Sequence, residues 1–352
     1  MGRPRIVEVA RAAGVSRATA ARVLSGATNV DPTMAAAVEI AAKELGYEAN
    51  SAARALRGGR AGAIGLVVAF SELDRLSGTF FTAVLKGAAK GLSAGDVRPV
   101  LLPADHPDGE LVPRLLRSRA VDGAIVILQH EITHLVEALA TSPVPIAWVG
   151  RPRMALDPGT IVVDSDNYGG GVQAARALLG AGRRRLGIIT GPSDMEPARA
   201  RARGWNDELV RNGIVPCPAL HGDFTLNGAA AAMARLLRRA PDIDGVFACS
   251  DLMAVGAIRV LQASGRQVPA DISVVGFDDV LIAMTCDPPL TTVRQPLVDM
   301  GRVAAETLIA ATRGKPFTGE HVLPTTLVRR ESLYPRGPHR TRRMPTCSHP
   351  VA

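Results

Sequence analysis

The chain lacks most of the features that would mark a membrane, secreted or metal-bound protein. No run of 18 apolar residues occurs among its 352, so no transmembrane helix is expected. Glu8 and Arg11 interrupt the apolar start, which therefore reads as no signal peptide. The four cysteines, Cys217, Cys249, Cys286 and Cys347, form no C-x-x-C pair, so neither a zinc framework nor a disulfide scaffold is expected, and free thiols in the cytoplasm fit. Only four of 41 basic residues are lysines, a compositional bias that carries no function. Catalytic signatures are missing too. Gly314-Lys315 is followed by Pro316, which is no phosphate-binding loop, and there is no local Ser-His-Asp set and no metal spacing of His and Cys. Gly169-x-Gly171-x-x-Ala174 imitates a dinucleotide fingerprint. It lies five residues past Asp164 instead of at a strand end, and no acidic residue closes a following strand. The expectation is a protein with no enzyme activity, cofactor or metal.

What is present is enough apolar residue, 47%, to bury real cores, over a length that suggests two or three domains. The net charge of +8 is unevenly distributed: residues 1–62 carry 9 Lys+Arg against 5 Asp+Glu, residues 329–352 carry 6 against 1, and the middle carries 26 against 27. A partner responds to local field more than to total charge, so two basic ends on a neutral body point to anionic contacts, nucleic acid first.

The N-terminal basic segment has an organisation. Ile6, Val9, Ala10 and Ala13 make one apolar stripe of a short helix that Gly14 ends, Ser16 is an N-cap, and residues 17–24 read as a second helix. Asp31-Pro32 opens a third helix that stops at Gly46. The second helix is expected to turn Arg17, Ala18, Ala21 and Arg22 outward, a face of Arg and Ala alone that suits a recognition helix in a major groove better than a mixed solvated surface. Residues 50–60 are Ala-rich and basic and end in a Gly pair. A helix that short is marginal without packing, and such conditional stability suits a hinge.

From Ala63 short apolar strands alternate with helices, in two sets. Strands at 64–68, 99–102, 123–128, 145–149 and 160–163 come first, then 185–190, 245–248 and 272–277, with helices between them such as 80–93, 110–117, 169–179, 201–212, 226–239 and 253–264. Repeated βαβ units imply parallel sheets with helices on both faces, here two doubly wound lobes with ligands in the crevice at strand C-terminal ends. Within that crevice Arg201 offers a fork of donors, Asp278 a carboxylate at a strand end, and Phe224 an aromatic face. Alternatives remain at two of these positions, and at Asp251, which ends the strand before. Arg201 can pair with Asp223 or Glu208, Phe224 can be core, and Asp251 can N-cap the helix that follows.

These motifs, in this order, resemble the lactose-repressor (LacI/GalR) family over residues 5–334. Residues 6–16 (IVEVARAAGVS), Thr19, Arg22-Val23-Leu24 and Leu45-Gly46-Tyr47 carry the headpiece. Residues 178–192, 201–205, 222–224, 249–251, 269–279, 289–295 and 323–332 carry the body. The family places Val and Ser where Ala20 and Ala21 stand, and a hinge Pro where Ala49 stands. The stretch 69–79 between the first strand and helix replaces a shorter one, with Phe80-Phe81 kept.

The resemblance implies an all-α helix-turn-helix headpiece (1–48), a hinge helix or linker (49–61) and an α/β body of periplasmic-binding-protein type (62–334). Lobe 1 would take about 62–162 and 292–324, lobe 2 about 163–291 and 325–334, and a disordered basic tail 335–352. It implies a dimeric transcriptional regulator, a repressor, on palindromic operator DNA under control of a small-molecule effector, a sugar or derivative. DNA contacts would come from Ser16, Arg17, Ala18, Thr19, Arg22, Asn29, Asn50 and Ala53, with Leu56 wedged into the minor groove. Effector contacts would come from Phe80, Asp164, Arg201, Phe224, Ser250, Asp251, Asp278 and Gln295. A solute-binding protein shares the two-lobed fold but needs export and has no helix-turn-helix.

Overall fold

The computed structural model describes residues 4–24, 29–47, 60–69, 79–106, 108–127, 133–153, 159–217 and 219–334. The expected hinge (bar its last two residues), with Asn50, Ala53 and Leu56, most of the stretch 69–79, and the C-terminal tail lie outside the described residues.

Three helices form the headpiece: α1 (Ile6–Ala12), α2 (Arg17–Leu24) and α3 (Pro32–Glu44). Gly14, with φ of +64°, turns the chain between the first two. Ser16 Oγ accepts from the Thr19 amide at 3.0 Å, and Asp31 accepts from the amides of Thr33 and Met34 ahead of Pro32. Val9, Ala10, Ala20, Val38, Ala41 and Ala42 make the core. Ala21, expected outward, is only 5% exposed. The reason is that α2 packs against both α1 and α3, so its buried arc is wider than a stripe facing one neighbour.

Two six-stranded sheets follow. The first has the order β11-β5-β4-β3-β1-β2, with β1 Ala63–Val68, β2 Arg98–Pro103, β3 Gly123–Ile127, β4 Ile146–Val149, β5 Ile161–Ser165 and β11 Glu320–Leu323, all parallel. The second has the order β12-β10-β9-β8-β6-β7, with β6 Leu186–Thr190, β7 Leu220–His221, β8 Gly245–Ala248, β9 Ser273–Asp278 and β10 Thr291–Arg294 parallel, and β12 Thr326–Val328 antiparallel to β10. Around the first sheet lie α4 (Thr79–Ala94), α5 (Leu111–Arg117) and α6 (Thr133–Ala140). The helices of the second are α7 (Asn167–Gly180), α8 (Glu196–Arg211), α9 (Leu226–Arg239), α10 (Asp251–Ala263) and the short α11 (Leu281–Thr285). A long helix absent from the sequence reading, α12 (Leu297–Thr312), returns to the first lobe and packs on α4 and β3–β5. No helix among the described residues is long and apolar enough to cross a membrane.

The chain passes between lobes three times, and two passages differ from expectation. β5 stays in the first sheet to Ser165 because Asp164 and Ser165 pair with Val322 and Leu323, so the first passage falls after 165, not 162. β10 lies in the second sheet because Thr292, Val293 and Arg294 pair with Gly276, Phe277 and Asp278, so the second falls at Gln295-Pro296, not after 291. The third falls between Leu323 and Thr326.

One of the fingerprint-like glycines, Gly171, has a packing role, shared with Gly204 on the facing helix. A Cβ on Gly171 would strike the Arg201 carbonyl oxygen, and one on Gly204 would strike that of Tyr168, so α7 and α8 touch backbone to backbone. Alanine is worth about 1 kcal/mol more than glycine in an open helix. Here Gly204→Ala is expected to lose about 1–3 kcal/mol instead, as overpacking. Thermal melts read this directly; a raised melting temperature would contradict the contact.

Candidate functional site

Two sites stand out, one on the headpiece and one between the lobes. On the headpiece, the Gly14 turn and the Ser16 cap start α2 so that Arg17 and Ala18 in its first turn are exposed, as is Arg22 one turn on. Ser16 and Thr19 hydroxyls lie 2.9 Å apart, and Arg22 donates to the Asn29 carbonyl and side-chain oxygens at 3.2 and 2.7 Å. The expected contact residues Ser16, Arg17, Ala18, Thr19, Arg22 and Asn29 thus lie on one side of the headpiece, with Ala20 and Ala21 buried beneath. Chemically, an exposed guanidinium at a helix start can read guanine O6/N7 with two donors while the Ala methyl meets thymine.

Between the lobes lies a cavity of about 870 Å³, open mouth included. Strand ends and helix starts supply its walls, as the parallel topology requires. Phe80, Asp164, Arg201, Phe224, Ser250, Asp278 and Gln295 all line it. Phe224 lines it while also packing in the second lobe's core. Asn167, Met195, Leu252, Val280, Ile282 and Met300 line it as well and were not foreseen. Asn167 had a signal, standing first on the helix after a strand end; the apolar ones had none that separates cavity from core.

Arg201 organises the polar floor. Its side chain is buried, with the residue 5% exposed. Nε donates to Asn167 Oδ1 at 2.8 Å, Nη1 donates to the Cys249 carbonyl at 2.6 Å, and Nη1 lies 3.6 Å from Asp278 Oδ1. Its guanidinium sits 3.7 Å from the Phe277 ring centroid, a cation–π contact. Asp223 and Glu208, the alternative partners, do not pair with it; Glu208 is held by Arg176 and Arg211. Asp278 and Asp279 both adopt left-handed backbone, φ +111° and +59°. That strain aims consecutive carboxylates at different partners: Asp278 into the cavity, Asp279 onto Arg294 and Arg330, each at 2.6 Å.

Burial raises the Asp278 carboxyl to about 6, against the opposing pull of Arg201 and Gln295. Burial likewise raises Asp164, with the Ser165 amide and Arg201 opposing. Asp251 departs from expectation: Ser250 Oγ caps α10 by accepting from the Met253 amide at 3.2 Å, and Asp251 neither caps nor lines the cavity. It is fully buried behind the site, accepting from Thr292 Oγ1 at 2.5 Å and the Val280 amide at 2.9 Å, so it ties α10 to β10 and to the turn after β9. Burial and then the Asp278 charge push its carboxyl well above the usual range. No group of His, Cys, Asp and Glu among the described residues is arranged to hold a metal.

A helix-turn-helix headpiece joined to two parallel-sheet lobes around a polar-floored cavity defines a DNA-binding regulator with a ligand-binding body. Comparison with known proteins agrees. Residues 5–50 match the lacI family of bacterial regulatory proteins, and residues 175–333 match the periplasmic binding protein-like domain. The HTH-type transcriptional regulator CelR of Thermobifida fusca is 39% identical over 329 residues, 93% of this chain and 95% of that protein. A solved transcriptional regulator CelR–cellobiose complex superposes with a TM-score of 0.73 at 38% identity, covering 94% of this chain and 100% of that one. A lac repressor dimer bound to operator and the anti-inducer ONPF shares the fold, with a TM-score of 0.79 at 24% identity, covering 95% and 100%. The chain belongs to the lacI family of bacterial regulatory proteins and is a DNA-binding transcriptional regulator.

Proposed function

We propose that the protein is a cytoplasmic, non-enzymatic repressor. It binds a pseudo-palindromic operator as a dimer through Arg17, Ala18 and Arg22, and it is controlled by a sugar in the inter-lobe cavity. The observation that carries the effector reading is the cavity floor. Arg201 Nη2 donates to none of the described residues, and Asp278 Oδ2 accepts from none, although the Arg201 side chain is buried and that of Asp278 largely so at the cavity. A donor and an acceptor side by side fit vicinal hydroxyls, and Phe80 from one lobe with Phe224 from the other offers apolar faces for the ring. Cellobiose is the first probe, since a relative is known in complex with it.

The test is selection of bound DNA from a random pool, followed by titration of the selected operator with cellobiose and a panel of mono- and disaccharides. A palindromic consensus, and one sugar that changes operator affinity, are expected. A selected pool without two-fold symmetry would sink the dimeric operator, and indifference to the whole panel would sink the sugar.

The pH dependence has a definite sign. A sugar hydroxyl donates to ionised Asp278, and the group's pKa of about 6 means that acid removes this acceptor. Effector affinity is therefore expected to hold above about pH 7 and to fall about tenfold by one unit below that pKa. Calorimetry across this window checks it, with Asp278→Asn giving a flat, weak profile.

A further inference from the structure

The polar side chains of the cavity close into a ring that ties two of the three inter-lobe passages together. Ser165, last residue of β5 in the first sheet, donates through Oγ to Gln295 Oε1 at 2.5 Å. Gln295, at the second passage, donates through Nε2 to Asp278 Oδ1 at 2.6 Å. Asp278 faces Arg201, Arg201 donates to Asn167, and Asn167 Nδ2 donates back to the Ser165 carbonyl at 3.1 Å and to Asp164 at 2.9 Å. The amide orientations follow from chemistry. An ionised carboxylate only accepts, so Gln295 must give it the NH₂ and keep its oxygen for a donor, which leaves the Ser165 hydroxyl as that donor.

Four members of the ring, Asn167, Arg201, Asp278 and Gln295, line the cavity, and Ser165 does not. Ser165 is buried, 3% exposed, behind Gln295. It is thus the member that anchors the ring in the first sheet without reaching a ligand, while Asp278 and Arg201 belong to the second lobe.

We propose that Ser165 is a positioning residue of the effector response: through Gln295 it couples Asp278 and Arg201 to the first lobe and transmits their engagement there. This rests on the effector reading above. When a sugar hydroxyl engages Asp278 Oδ2 or Arg201 Nη2, any reorientation of those side chains is carried through Asp278 Oδ1 to Gln295 and through Arg201 Nε to Asn167, and so to the passages carrying Ser165, Asn167 and Gln295. Coupling of this kind needs a connected element that both states bias, and the ring is such an element.

The experiment compares full-length wild type, Ser165→Ala and Ser165→Thr, the last keeping the hydroxyl, in two arms. Without ligand, hydrogen exchange of the segments 165–169 and 295–298 is expected to quicken about three- to tenfold in the Ala variant and to return in the Thr variant, with the β6–β8 core unchanged. With cellobiose as probe, the Ala variant is expected to bind it nearly as wild type does, yet to lose about three- to tenfold of the operator-affinity change that binding causes, again restored by Thr. Unchanged exchange and unchanged coupling in the Ala variant would overturn the proposal, as would loss in both variants together with a faster-exchanging core, which marks a packing role. If cellobiose binds none of the three, the sugar probe has failed and not the ring, and the ligand-free arm decides alone.

Discussion

Arg17→Ala is expected to reduce affinity for the selected operator by about 2–6 kcal/mol, taking about 1–3 kcal/mol for each bidentate guanine contact and two half-sites per dimer. The residue is exposed in the first turn of α2, so its removal costs the fold little, and the loss falls on recognition. It should relax discrimination at one base position per half-site while non-specific binding, which depends on phosphates and salt, persists. Fluorescence anisotropy against operator and scrambled fragments over a salt series measures both. Equal affinity of wild type and variant for the operator would remove Arg17 from the interface.

The second large effect is expected from Arg201→Ala, which should abolish the effector response while leaving operator binding in the absence of effector intact. Arg201 supplies donors to the cavity, and it is the one cation facing Asp278 among the described residues. Without it, Asp278 remains buried beside Asp251 with no compensating charge, and its carboxyl should rise further and stay protonated. The sugar then loses a fork of donors and an ionised acceptor at once, so a fall in affinity of at least about a hundredfold is expected, the worth of two charged hydrogen bonds. Lysine should not restore it, because a point charge cannot serve Asn167, the Cys249 carbonyl and a ligand together. Calorimetry with the effector and gel shifts with the operator separate the outcomes: loss of both activities would assign Arg201 to folding.

Much of this arrangement is legible along the chain. The headpiece declares itself through local devices, the Gly14 turn, the Ser16 cap and Asp31-Pro32, each acting within a few residues. Even α12, absent from the sequence reading, carries a full periodic stripe in Leu297, Met300, Gly301, Ala304, Ala305 and Leu308. Ala21 is different: its burial depends on α2 meeting two helices at once, which no periodicity within α2 expresses. Asp251 and Ser250 are both residue types that cap helices, and a shift of one residue decides which caps and lines the cavity and which turns inward to Thr292, 41 residues away.

Residue order thus settles most element types, the exposure of Arg17, Ala18 and Arg22 and the identity of the cavity's charged groups, because capping, periodicity and side-chain chemistry act over short stretches. Strand partnership is a long-range matter. β5 finds β11 across more than 150 residues and β10 turns to β9, and those pairings set where the chain leaves each lobe. The ring from Ser165 through Gln295, Asp278, Arg201 and Asn167 exists only once both sheets are built, since its members come from four separated segments and meet only where the lobes join.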